Sequence, residues 1–137
     1  MKTFAVDITV RWMHCDPAGI IFTPRYFDMT HTVMEDWFDK ELKVPFDHLH
    51  GELALGIPTV HLEADFVAAS RLNDVLTFEL TLAKLGRASA DLSIKARCGG
   101  EPRMSARIVI AQVSLEPMRA KPWVPEIRAG MERFVAS

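Results

Sequence analysis

Cysteine is scarce in this chain. Cys15 and Cys98 lie far apart, and no C-x-x-C pair occurs. Two isolated thiols make neither a disulfide framework nor a zinc cluster, so both are expected to be reduced. Charge of one sign is also missing: 16 basic residues meet 18 acidic ones, for a formal net charge of -2. That balance offers no electrostatic reason to expect a nucleic acid or an anionic membrane as partner. No apolar run approaches the roughly 20 residues that a membrane-spanning helix needs. The opening MKTFAVDITVRW alternates polar and apolar residues and carries Asp7, where a secretory signal would carry a continuous apolar block. A cytoplasmic location is the expectation. Glycine-rich nucleotide patterns such as G-x-G-x-x-G or a P-loop are absent, as are repeats, linkers and low-complexity tracts.

What remains is an ordinary globular composition, 49% hydrophobic and 25% charged. At this length one domain over residues 1–137 is expected, with a core large enough to need no staples. Phe4, Val6, Ile8, Val10 and Trp12 alternate with polar neighbours, which predicts a strand. Tyr26, Phe27, Thr30, Val33, Met34, Trp37 and Phe38 then recur at helical spacing, which predicts a helix over Pro24–Leu42. Thr23 suits its N-cap, Pro24 its first position, and Phe22 with Phe27 a hydrophobic staple. Lys43–Gly56 reads as a loop with room for a helical turn.

Four further alternating segments follow, around 60–66, 76–82, 90–96 and 104–110. Gly86-Arg87 and Cys98-Gly99-Gly100 sit where antiparallel turns belong. In the last segment Val113 and Leu115 fall out of phase, which predicts a bulge near Val109–Ala111 or a centre buried on both faces. Ile127, Met131 and Phe134 predict a short closing helix. A strand, a long helix and then a run of strands argue an α+β domain: an antiparallel sheet of about five strands curled around the helix.

The stretch HCDPAGIIFTPRYF carries the sharpest chemical question. Asp16-Pro17-Ala18-Gly19 has the residue preferences of a type I turn, and a turn alone would account for it. Its setting adds a second reading. Trp12 and Cys15 precede the acid, and Ile20, Ile21 and Phe22 follow it, so its charge would be poorly solvated and its basicity raised. A helix start a few residues on would offer free N–H groups and a partial positive charge to an acyl oxygen turning negative. Together these suit hydrolysis of an activated acyl group.

CDPAGIIFTPRY with the long helix, followed by GIPTVHLEADFVAASRLNDVLTFEL, resembles the hotdog-fold acyl-CoA thioesterases, and within them the 4-hydroxybenzoyl-CoA thioesterase group. The resemblance covers roughly residues 3 to 115. It implies a hotdog fold, pairing into homodimers or dimer-of-dimers tetramers, and an acyl site at the dimer interface. It implies that Asp16 attacks the thioester or activates water, and that the backbone N–H of Thr23 polarises the carbonyl. It implies coenzyme A as part of the substrate, with no separate cofactor. The CoA phosphates would lie near Lys84, Arg87 and Ser89, and the pantetheine arm near Thr59. An aryl acyl group is favoured by resemblance, although Thr23 stands where several relatives carry an aromatic residue, and Arg25 and His31 are unexpected in a hydroxybenzoyl pocket.

Three rivals remain: a short-chain aliphatic acyl-CoA or acyl-carrier thioesterase, a hydratase or dehydratase using His31 or His61, and a non-catalytic acyl-CoA-binding protein. Other polar residues read more plainly. His14 and Cys15, adjacent on an extended chain, point to opposite sides and form no relay. His48 and His50 lack a third ligand for a metal. His61 faces away from the core, and His31 reads as a buried helix residue. Arg71, Lys95, Arg97, Arg103 and Arg107 read mostly as solvated strand charges.

Overall fold

The computed structural model describes residues 1–136. The chain opens with β1 (Phe4–Thr9), then a 3-10 turn at Trp12–His14 and the long helix α1 (Arg25–Lys40). A short helix α2 (Phe46–His50) and a two-residue strand β2 (Leu55–Gly56) lead into β3 (Thr59–Phe66), β4 (Val75–Leu85), β5 (Ser89–Cys98) and β6 (Glu101–Ala111). The strands β7 (Val113–Leu115) and β8 (Met118–Ala120) and the helix α3 (Pro125–Glu132) complete it. The main sheet has five strands in the order β1-β4-β5-β6-β3, every pair antiparallel.

Along β4, β5 and β6 the alternation seen in the sequence is the alternation of burial, while the apolar residues Val60, Leu62 and Phe66 of β3 are exposed. Leu76, Phe78, Leu80 and Leu82 of β4 are buried, as are Leu92 and Ile94 of β5 and Ile108 and Ile110 of β6. They join one hydrophobic cluster with Tyr26, Met29, Val33, Met34, Trp37 and Phe38 of α1. Trp37 sits edge-on to both Phe38 and Phe134, each at 5.5 Å between ring centroids. So one face of α1 and one face of the sheet share a single core, as the sequence argued. No helix among the described residues is long and apolar enough to cross a membrane.

Several local expectations change. Thr23 does not cap α1 through its side chain. Its carbonyl and that of Phe22 instead accept the N–H groups of Tyr26 (3.1 Å) and Arg25 (2.8 Å), a tight opening turn. The staple does not form, because Phe22 is 52% exposed and the Phe27 ring meets Phe66, 6.3 Å away. Trp12 leaves the β1 alternation, since pairing with β4 ends at Thr9 and the chain turns there. The phase change after Ile110 comes from a change of sheet: β7 pairs with β2 and β8 in a separate three-stranded sheet. Between the two sheets Gln112 is buried, its amide Nε2 donating to the carbonyls of Lys121 (3.2 Å) and Pro122 (2.7 Å). The irregularity opposite Val109 and Ile110 lies in β3, where Val60 falls between Thr59 and His61 in the register.

Candidate active site

The acid turn is built by its own backbone. The N–H of Gly19 donates to the Asp16 carbonyl at 3.0 Å, and the Asp16 N–H donates to the Ile20 carbonyl at 2.9 Å. Gly19 has φ +79°, a conformation glycine adopts without the steric penalty of a side chain. The Ala18 N–H donates to Asp16 Oδ1 at 2.8 Å. That bond orients the carboxylate, and Oδ2 meets no protein donor among the described residues. Asp16 is half-buried. The sequence posed turn and chemistry as alternatives; one carboxylate oxygen serves the turn and the other stays available.

After the turn the chain is pinned on both sides. The N–H of Ile21 donates to the Ser70 carbonyl and that of Phe22 to the His14 carbonyl, each at 2.9 Å. The next N–H, that of Thr23, has no acceptor among the described residues. Thr23 lines a cleft of about 270 Å³ with Ile20, Ile21, Tyr26 and the segment Phe66–Ser70. Aromatic rings form part of its wall: Phe66 lies 5.4 Å from Tyr26 and 6.3 Å from Phe27.

Behind the cleft is a polar network that sequence reasoning missed. The Tyr26 hydroxyl donates to Ser70 Oγ at 2.9 Å. Arg103 Nη1 approaches Ser70 Oγ (3.1 Å), the Ala69 carbonyl (3.0 Å) and Asp74 Oδ2 (2.8 Å). The N–H of Arg71 also donates to Asp74 Oδ2, at 2.9 Å. That backbone bond and the Arg103 guanidinium hold the Asp74 carboxyl below the usual carboxylate range. Arg103 is correspondingly raised by Asp74. It is thus a structural ion that anchors the cleft wall, where the sequence suggested a solvated charge. One signal was available: Tyr26 is the only tyrosine of the chain and falls on the buried face of α1, where its hydroxyl needs a partner.

The proposed CoA contacts gather elsewhere. Thr59 pairs with Ile110, Ile110 with Ala90, and Ala90 with Leu85, so Thr59, Lys84, Arg87 and Ser89 share one end of the sheet. Phe66 and the cleft lie at the other end of β3, roughly 23 Å away at the usual strand rise. Lys84, Arg87 and Thr59 are exposed, and the carbonyls of Arg87 and Ser89 accept the backbone and indole N–H groups of Trp123, each at 3.0 Å.

The histidines separate by environment. His14 is 7% exposed, and its Nδ1 accepts the Arg11 N–H at 2.8 Å. Burial lowers its pKa, partly opposed by Asp28. No hydrogen bond joins it to Cys15, whose Sγ lies 3.5 Å from the Arg11 carbonyl. His14 lines a wider cleft of about 560 Å³ with Arg11, Arg25 and Asp28, on the β1 side of α1. Arg25 is held by Asp28 at 3.0 Å. His31, expected to be buried, is exposed, with its ring 6.1 Å from Phe46. His61 is exposed and meets Glu63 at 2.7 Å, which Arg107 also reaches at 3.0 Å. His48 pairs with Glu52, and His50 Nδ1 lies 2.8 Å from the Phe46 carbonyl. Among the described residues no three His, Cys, Asp or Glu side chains gather as a metal site.

Comparison with known proteins places these features in a family. A model of the thioesterase-like superfamily matches residues 10–131. The 1,4-dihydroxy-2-naphthoyl-CoA hydrolase of Prochlorococcus marinus (strain NATL2A) is 29% identical over 119 residues, covering 82% of this chain and 76% of that protein. The 4-hydroxybenzoyl-CoA thioesterase of Pseudomonas sp. (strain CBS-3) is 28% identical over 89 residues, or 64% of this chain and 63% of that protein. The second match therefore spans less than two thirds of the relative's length. The crystal structure of a 1,4-dihydroxy-2-naphthoyl-CoA thioesterase from Synechocystis superposes with a TM-score of 0.87, covering 95% of this chain and 96% of that one at 18% identity. The fold is the hotdog fold.

Proposed function

This chain belongs to the thioesterase-like superfamily, and from that premise we propose that it hydrolyses the thioester of an aryl acyl-CoA, using Asp16 and the start of α1. It is a thioester hydrolase, as its named relatives are. The residue assignment rests on two groups without a partner among the described residues, a carboxylate oxygen at Asp16 and, seven residues on at the cleft wall, the main-chain N–H of Thr23; Asp16 lies on the turn before the cleft and is not among its lining residues.

The chemistry follows from these two groups. In one route an Asp16 oxygen attacks the thioester carbon, the C–S bond breaks, and the CoA thiolate leaves and takes up a proton. Water then cleaves the mixed anhydride and restores the carboxylate. In the other, Asp16 removes a proton from a water that attacks the same carbon. Both routes put negative charge on the carbonyl oxygen, where the Thr23 N–H and the positive end of the α1 dipole stabilise it. Single turnover in labelled water separates the routes, since the first can carry label into the Asp16 carboxyl.

The aryl preference rests on the Tyr26 and Phe66 rings that line the cleft and on the substrates named for the two relatives. Thr59, Lys84, Arg87 and Ser89 are the proposed CoA contacts, and their place at the far end of β3 argues for a homodimer. β3 is an edge strand whose outer side is unpaired in the sheet, and Val60, Leu62 and Phe66 along it are exposed. Such an edge invites another strand. Antiparallel pairing of β3 with its copy about a two-fold axis sets the Phe66 end of one protomer beside the Thr59 end of the other. The cleft of one copy and the CoA contacts of the second then form one site, and a tetramer would pair two such dimers.

A panel of benzoyl-, 4-hydroxybenzoyl-, 1,4-dihydroxy-2-naphthoyl- and short-chain aliphatic CoA thioesters tests the reading. Aryl esters are expected to be cleaved fastest. Equal or faster cleavage of aliphatic esters rejects the aryl choice, and no turnover of any ester favours a binding protein.

A further inference from the structure

We propose that the Ser70 hydroxyl is a second hydrogen-bond donor to the thioester oxygen, acting beside the Thr23 N–H. This rests on the thioesterase reading above and deepens its oxyanion site. The argument is a count of protons. Tyr26 and Ser70 each carry one hydroxyl proton, and a single hydrogen bond of 2.9 Å joins them. The remaining neighbour of Ser70 Oγ is Arg103 Nη1 at 3.1 Å, which can only donate. With the Tyr26 hydroxyl as donor in that bond, two donors converge on Ser70 Oγ and occupy its lone pairs. The Ser70 proton is left over, and no carbonyl or carboxylate among the described residues accepts it.

Ser70 is only 1% exposed, so bulk water does not satisfy it in the ordinary way. A buried donor without an acceptor is costly, and such a group in a native protein calls for an explanation. The space beside Ser70 is the cleft that Thr23 also lines, and the Ile21 N–H bond to the Ser70 carbonyl ties the two segments together two residues before Thr23. The remaining lining side chains are those of Ile20, Ile21, Phe66, Val67, Ala68 and Ala69, apart from Tyr26, and none is basic. Two unspent donors in one cleft match what a carbonyl oxygen needs when it becomes an oxyanion. The Tyr26 and Arg103 bonds polarise the Ser70 O–H and strengthen it as a donor.

The test measures kcat and KM on benzoyl-CoA for the whole protein and for Ser70→Ala and Tyr26→Phe, with thermal unfolding to verify folding. The carbonyl stretch of bound 13C-benzoyl-CoA is read by isotope-edited infrared spectroscopy in an Asp16→Asn background, where turnover is slow. Ser70→Ala is expected to lower kcat about tenfold or more with KM little changed, and to move the carbonyl band back toward its value in solution. Tyr26→Phe keeps the donor and is expected to lose only a few fold. Should Ser70→Ala fail to fold, the band shift in Tyr26→Phe decides: a partial return toward the solution value supports the proposal and an unchanged band overturns it. Normal kcat and an unmoved band in Ser70→Ala, with Asp16→Asn inactive, overturn the Ser70 role and leave the thioesterase reading standing. No turnover of any thioester by the unaltered protein overturns both.

Discussion

Replacing Asp16 by Asn and by Ala separates the two roles that one side chain combines. Asparagine keeps an Oδ1 that can accept the Ala18 N–H, now 2.8 Å from the Asp16 oxygen, and removes only the charge. Alanine removes both. A turn bond of this kind is worth about 1 kcal/mol, so Asp16→Ala should lower the unfolding free energy by about that much and the melting temperature by about 4 °C. Asp16→Asn should stay within about 0.5 kcal/mol of the parent. Activity should divide differently. Loss of a nucleophile or general base costs about 10²–10⁴ in rate, or about 3–5 kcal/mol in the barrier. Both variants should lose it equally on benzoyl-CoA, with CoA binding retained. Urea unfolding and initial-rate assays on the same preparations make the comparison. An Asp16→Asn protein that keeps the parent rate would refute the chemical role and leave Asp16 as a turn residue alone.

Charging the free edge of the sheet should break the proposed dimer: Leu62→Arg is expected to sediment as a monomer and to lose at least tenfold in kcat/KM, and a dimer of unchanged activity would contradict the shared site. His14 offers a test by pH. Its folded pKa lies below the ordinary histidine value of 6.5 because burial disfavours its charge. The unfolded chain therefore binds the proton first, so its stability contribution is whole above pH 6.5 and is lost as pH falls toward the lower folded value. Urea midpoints should fall further between pH 7 and pH 5 for the parent than for His14→Asn, which keeps an acceptor for the Arg11 N–H. Equal slopes, or an imidazole that titrates above 6.5 by NMR, would show this account to be mistaken.

Much of the fold lies in local periodicity. The period-two runs at 76–82, 90–96 and 104–110 became β4 to β6 because alternate residues face a shared core, while the run at 60–66 became the edge strand β3 with Val60, Leu62 and Phe66 exposed. The helical run from Tyr26 to Phe38 became the buried face of α1. The turn at Asp16 was equally legible, since Asp, Pro and Gly carry their backbone preferences with them. The small sheet of β2, β7 and β8 was not. Its strands are two or three residues long, too short for a period to show, and Leu55 meets Ser114 across 59 residues of chain.

The amino-acid sequence by itself determined that a main antiparallel sheet packs on one long helix, and that an acid sits on a turn just before that helix. Those outcomes follow from side-chain size, polarity and backbone preference within a few residues. Only the tertiary structure decided that the Thr23 N–H is left unbonded, and that Ser70 meets Tyr26 across 44 positions and Arg103 across 33. It also separated Thr59 and Ser89 from the cleft by the length of a strand. Hydrogen-bond partners distant in sequence are chosen by how the sheet closes over the helix, and no local pattern records that choice.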